Sequence, residues 1–283
     1  MTLVPPLINL NALFVDRKLN ALFCFLLVVV FIAAANTQQQ WHVILGLLLG
    51  TAFSFIAFLF RRLTLDGMFS AMVTGIFILG FGGWGIAALV LLFFISSAAI
   101  SGQWKVRSPD LPVSARRTGK QVWANGFWIV FSLTAAVIFD APIFVAAAIG
   151  ALATATADTW STELGTRMSG NVYLITNLKK VSAGTDGGIS IQGTTAALFG
   201  SAMIGGVAMA IFSFQLGFFL SILAAGFLGS VADSYFGATF QCSNRSVTLP
   251  ISNQQIAIDN DLVNAISTGV GALLAIILKI IFI

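Results

Sequence analysis

Apolar residues run along this chain in blocks of membrane-spanning length, separated by short polar segments, with few charges inside any block. Such windows fall at about 19–35, 41–60, 68–82, 84–104, 122–139, 141–160, 189–212, 215–236 and 262–282. The pattern predicts an all-α, polytopic transmembrane bundle of about nine helices, the third short enough to be tilted or partly re-entrant.

Composition supports the pattern. Only 8% of the 283 residues are charged while 58% are hydrophobic, too little polar surface to dissolve a globule of this size. The 27 glycines suit close helix contacts in a membrane. Arg17, Lys18 and the small residues Ala33 to Ala35 imitate a signal peptide, but the stretch before Arg17 is long for one, so an uncleaved first helix is expected. The two cysteines, Cys24 and Cys242, offer neither a disulfide framework nor metal spacing. The net charge of +4 forms no basic stripe interleaved with aromatics, so nucleic acid is not an expected partner.

Alternating the loops between two sides gathers Arg17, Lys18, Arg61, Arg62, Lys105, Arg107, Arg116, Arg117, Lys120, Arg167, Lys179, Lys180 and Arg245 on one side and leaves Lys279 opposite. Basic flanks resist translocation, so that side and the N-terminus are expected to be cytoplasmic. Asp66, Asp110, Asp158, Glu163, Asp186, Asp233, Asp259 and Asp261 fall on the same side, with Asp140 opposite. Insertion does not require carboxylates to follow cations, so a polar chamber at that surface is expected.

Several segments there carry chemistry. Thr154, Asp158, Ser161 or Thr162, and Gly165 form one polar stripe at helical spacing. Glu163 lies about 140° around the helix from Asp158, so the two converge only if the helix ends or bends between them; Gly165 and Gly170 predict an ending. Gly226, Ser230, Asp233 and Gly237 repeat the design on a second helix. Converging carboxylates would bind a hard divalent cation, Mg²⁺ if phosphate supplies further oxygens. The alternative is that each Asp ends its helix in the headgroup region.

Lys179 to Ser190 is a basic run rich in glycine and hydroxyls, with Ser182, Gly184, Thr185, Asp186, Gly187 and Gly188 preceding a helix. Glycines admit backbone N–H groups to an anion and lysines neutralise it, although the Walker A spacing is absent. The alternative is an ordinary loop with Asp186 as helix cap, a role that also suits Asp66 and Asp261. Arg116, Arg117 and Lys120, followed by Gln121 and Asn125, are suited to hold a phosphate at the surface. Topological ballast explains the cations but not the two amides. Asp259, Asp261, Asn264 and Thr268 add polar groups at the same level. Asp66-Gly67-x-x-Ser70-x-x-x-Thr74 is matched by Asp186-Gly187-x-x-Ser190-x-x-x-Thr194, which suggests a parallel internal repeat.

Five ordered blocks between about Arg62 and Asn264 resemble the integral-membrane family that contains the plant phytyl-phosphate kinase of vitamin E synthesis. They are Arg117-x-x-x-Gln121-Val122-x-Ala124-Asn125-Gly126, Ala157-Asp158-Thr159-Trp160-Ser161-x-Glu163-x-Gly165, Gly184 to Ser190, Asp233-Ser234-x-x-Gly237-Ala238 and Asp259-Asn260-x-x-Val263-Asn264. Residues 1–60 carry no such signal, so they are expected to form N-terminal membrane helices beside a catalytic bundle at 61–283. The stretch 241–258 looks shorter and less cysteine-rich than in many relatives. The order of motifs also resembles CTP-dependent polyprenol kinases.

The resemblance implies transfer of a phosphoryl group from CTP, or another nucleoside triphosphate, to an isoprenyl monophosphate such as phytyl or geranylgeranyl phosphate. Under it, Asp158, Glu163 and Asp186 are expected to be catalytic, and Asp158, Glu163 and Asp233 are assigned to Mg²⁺. Lys179, Lys180, Ser182, Gly184, Thr185, Gly187, Gly188 and Ser190 are assigned to the triphosphate, and Arg116, Arg117, Gln121 and Asn125 to the acceptor phosphate. A transporter would also use intramembrane Asp residues, but the opposite half of the bundle has little polar character for a permeation path. An assembly factor would need no nucleotide. A bacterial plasma membrane and a thylakoid-type membrane both fit the topology.

Overall fold

The computed structural model describes residues 15–101, 116–168, 170–213, 215–241, 246–248 and 255–282. Lys105, Arg107, Asp110, Cys242 and Arg245 lie outside the described residues. The described residues form eight helices: α1 (Val15–Ala33), α2 (Thr37–Leu59), α3 (Leu65–Ile100), α4 (Gly119–Ile138), α5 (Ile143–Met168), α6 (Ile191–Phe212), α7 (Leu216–Phe236) and α8 (Asn260–Phe282). All but α1 are long and apolar enough to cross a membrane.

Two of the nine expected helices are joined. α3 has 36 residues, which would reach roughly 54 Å if straight, against a hydrocarbon core of about 30 Å. It breaks at Gly83, whose φ of 65° and ψ of −169° are open to glycine and costly for other residues. Both ends lie on one face. At the start, the Thr64 N–H donates to Arg117 O (3.1 Å), and at the end Arg167 Nη1 donates to Ile100 O (2.7 Å). The bend lies at the opposite face, where Gly83 meets His42 and Gly85 packs against Phe212. α3 is therefore a helical hairpin, its two arms on either side of Gly83 corresponding to the expected 68–82 segment and to the described part of the expected 84–104 segment.

Helix starts on the polar face are fixed by short side chains. Thr64 caps α3, Thr118 and Gln121 form a capping box on α4, Ser190 caps α6, and Asp259 accepts from the Leu262 N–H at the start of α8. Asp66 is not a cap of its own helix: its Oδ2 accepts from the Gly119 N–H of α4 at 2.6 Å. Nor does Asp186 cap α6, since Ser190 fills that role. The suggested repeat therefore has no structural counterpart. Ser70 is buried a turn inside α3, whereas Ser190 precedes α6.

α5 is the central post. Its residues Ala146 to Ala157 are all buried, against α4, α6, α7 and α8. Small residues allow this approach: a Cβ on Gly271 would overlap the Thr154 hydroxyl, and one on Gly150 would strike the Gly271 carbonyl. α5 runs toward the polar face and α8 away from it, so the two lie antiparallel. The polar face also carries strands that the helical pattern did not predict. β1 (Val172–Leu174) pairs antiparallel with β2 (Lys180–Val181) and β3 (Gly188–Ile189), and β4 (Ser246–Thr248) pairs with β5 (Gln255–Ala257).

Candidate functional site

A cavity of about 110 Å³ opens at the polar face, where α5, α7 and the 184–190 loop converge beside the start of α8. α5 contributes Asp158, Ser161, Thr162 and Gly165 because these share one stripe of the helix. α7 contributes Asp233, Ser234 and Gly237, and α8 contributes Asn260. The 184–190 loop supplies Gly184, Thr185, Asp186, Gly187, Gly188 and Ser190. Three motifs far apart in sequence are thus brought together.

The side chains of Asp158 and Asp233 are in hydrogen-bonding contact. Ser267 Oγ of α8 donates to Asp233 Oδ2 at 2.7 Å, and the Asp186 carboxylate acts on Asp233 across the cavity. Among the described residues that line the cavity none is basic. Three carboxylates without a cation repel one another, so the cavity favours a positively charged occupant.

The loop is held from behind. Gly187 has a φ of 74°, and any Cβ there would collide with Ala238 in the π-helical turn Gly237–Gln241 that ends α7. The loop spends part of its polarity internally: the Thr185 N–H donates to Ser182 O (3.2 Å) and the Gly188 N–H to Thr185 O (2.9 Å). Those two N–H groups are therefore committed to turns. Lys179, Lys180 and Ser182 are exposed and lie outside the cavity lining.

Glu163 does not join Asp158 and Asp233. α5 does end near Gly170, at Met168, but it neither ends nor bends between Asp158 and Glu163, so the angle between the two positions is kept and Glu163 faces away. It pairs with Arg167 (3.2 Å) and lies near Arg117. Arg117 packs its guanidinium over Phe93 and Phe94, 5.7 Å from each ring centroid. Burial lowers the pKa of Arg117 from its usual value, and Glu163 acts in the opposite sense. Arg117 is thus placed on the Glu163 side of α5, apart from the cavity.

Gln121 has a structural explanation that the sequence did not offer. Its side-chain oxygen accepts from the Thr118 N–H at 3.1 Å as the second half of the capping box. Asn125 Nδ2 donates to Gln121 O (3.2 Å), and Arg116 keeps Nε buried without a partner among the described residues. Lys120 pairs with Asp259 and, at 3.7 Å, with Asp261, tying α4 to α8. Sequence reasoning missed Ser267, which carries no motif of its own. It also missed Asp16, a buried carboxylate beside Gly119 at the start of α4.

The donor set fits a hard divalent cation. It is made of oxygen: two touching carboxylates, hydroxyls and amides line the cavity, and on α8, outside that lining, Asn264 Oδ1 is buried with no partner among the described residues. Among the described residues no three of His, Cys, Asp and Glu form a ready cluster. Two carboxylates with substrate phosphates completing the sphere are a usual Mg²⁺ arrangement.

Residues 48–272 match the family described as integral membrane protein DUF92. The chain belongs to that family. It is 32% identical to an uncharacterised membrane protein of Methanocaldococcus jannaschii over 221 residues, 77% of this chain and 86% of that one. An uncharacterised membrane protein of Synechocystis is 29% identical, with 76% and 82% covered. Protein VTE6, chloroplastic, of Arabidopsis thaliana is 28% identical over 131 residues, 46% of this chain and 37% of that protein. No solved structure matches the chain. It is an integral membrane protein of α-helical fold.

Proposed function

We propose that this DUF92 protein is a membrane phosphotransferase, moving the γ-phosphoryl group of CTP or another nucleoside triphosphate to an isoprenyl monophosphate such as phytyl or geranylgeranyl phosphate. The observation that carries the reading is the contact between Asp158 and Asp233 in a cavity walled by the 184–190 glycine loop. The motif resemblance to the phytyl-phosphate kinase family and the partial similarity to VTE6 support the choice of acceptor.

An acceptor phosphate oxygen attacks the γ-phosphorus while the bond to the β-bridging oxygen breaks, giving the lipid diphosphate and a nucleoside diphosphate. The acceptor is already an anion, so placement and charge neutralisation matter more than a strong base. Asp158 and Asp233 would hold Mg²⁺, which when bound would neutralise triphosphate oxygens. The loop from Gly184 to Gly188 shapes the wall against which the phosphates lie, and the exposed Lys179 and Lys180 attract the nucleotide to the mouth. The exposed apolar surface of the bundle leaves the acceptor's tail in the bilayer. The active face is the cytoplasmic one, or its equivalent in a thylakoid-type membrane.

The test is an assay of the purified protein with Mg²⁺, CTP or ATP, and phytyl or geranylgeranyl monophosphate. Lipid diphosphate that depends on nucleotide and on Asp158 supports the reading. Its absence across both nucleotides and both acceptors overturns it.

A further inference from the structure

Asp158 and Asp233 would supply two oxygen ligands to a cation, and the residue first expected as the third, Glu163, faces Arg167 and Arg117 instead. α8 fills that place. Asn260, Asn264 and Ser267 fall within an arc of about 60° on that helix. Asn260 lines the cavity and Ser267 holds Asp233, which puts Asn264 between them on the same face.

The facing helix gives the level. Gly271 of α8 packs on Thr154 of α5, and the two helices are antiparallel. Seven residues toward the polar face from Gly271 is Asn264, and four from Thr154 is Asp158, so Asn264 lies roughly 4.5 Å nearer that face than Asp158 and one turn behind Asn260, which lines the cavity where Asn264 itself does not. Its Oδ1 is fully enclosed and accepts no hydrogen bond among the described residues. A buried acceptor without a donor costs free energy unless something positive meets it. The neighbouring hydroxyls have partners: Thr268 Oγ1 donates to Asn264 O at 2.7 Å, and Ser267 Oγ donates to Asp233.

We propose that Asn264 Oδ1 is the third protein ligand of a divalent cation held by Asp158 and Asp233, and that Ser267 positions Asp233 for it. The inference deepens the phosphotransferase reading and rests on its cation site, but not on transfer itself. An amide oxygen lowers the charge of the donor set relative to a third carboxylate, which suits a site that must also accept a triphosphate.

The test uses Mn²⁺ as the probe, followed by electron paramagnetic resonance on the full chain in uncharged detergent, without nucleotide. Wild type is expected to bind Mn²⁺. Ser267→Ala is expected to bind roughly 10 to 100-fold more weakly and Ser267→Thr to recover. Asn264→Leu is expected to lose affinity by at least as much. Asn264→Asp, which keeps an oxygen there, is expected to bind at least as tightly as wild type, and Glu163→Gln is expected to match wild type. Because Asn264→Leu tests packing as well as ligation, the Asp variant decides. Equal affinity in wild type, Asn264→Leu and Asn264→Asp overturns the assignment, as does a wild type that binds no Mn²⁺. Mn²⁺ binding with the predicted order of variants but no phosphoryl transfer would overturn the kinase reading and leave the cation site standing.

Discussion

Asp158 on α5 and Asp233 on α7 bring their carboxyl groups into direct contact, and Ser267 on α8 secures the second of them. A contact between two carboxylates is unfavourable in a membrane protein unless a proton or a cation is shared between them. Their placement follows from the packing of small residues around α5. Gly226, Gly229 and Gly271 let α7 and α8 approach the same stretch of that helix.

Asp158→Asn and Asp233→Asn are each expected to reduce phosphoryl transfer by on the order of 10²-fold or more, with the fold retained. Initial rates at saturating nucleotide and acceptor, with circular dichroism as a control, check this. A variant within a few-fold of wild type would remove that residue from the site.

Gly187→Ala is expected to cost about 1–2 kcal/mol from the left-handed backbone, and more from the collision with Ala238. The loop would lift from the end of α7. Limited proteolysis of the 170–190 segment should accelerate, and activity should fall with it. Unchanged proteolysis would mean that the docking on Ala238 does not hold the loop.

Glu163→Gln is expected to weaken the fold and leave cation binding intact. Removing one partner from a fully buried ion pair costs about 3–5 kcal/mol. Glu163 keeps 32% of its side chain exposed and Arg167 48%, so a loss of ~0.5–1 kcal/mol is expected. Thermal unfolding in detergent measures it. Lost Mn²⁺ binding at unchanged stability would return Glu163 to the metal site.

The sequence made the bundle legible because apolar runs, glycines and flanking charges obey the bilayer directly. Asp158, Asp233 and the 184–190 glycine loop were legible because each repeats a recognisable helix-end design. Glu163 was not, because its direction depends on whether α5 ends or bends between Asp158 and Glu163, and the helix instead runs on to Met168. Asp66 was read as a cap for its own helix, yet Thr64 holds that place and Asp66 accepts from the Gly119 N–H at the start of α4, since only the folded chain shows which helix start lies opposite. Ser267 was invisible for the same reason. A lone serine in an apolar helix acquires meaning from the aspartate that faces it.

Gln121 separates a structural from a binding role. As the second half of a capping box, Gln121→Ala is expected to cost about 0.5–1 kcal/mol of stability. The Michaelis constant for the lipid acceptor should stay within about twofold, well short of the tenfold that 1.4 kcal/mol of lost binding would give. A tenfold rise without loss of stability would put Gln121 back at an acceptor phosphate.

If Asp158 and Asp233 anchor a phosphoryl-transfer site, the label of γ-³²P-labelled CTP must pass to the lipid. In a single turnover with Mg²⁺ and phytyl monophosphate, label is expected in the lipid diphosphate for wild type and almost none for Asp158→Asn. Label that stays in nucleotide or appears only as free phosphate, with both phytyl and geranylgeranyl monophosphate present, would contradict it.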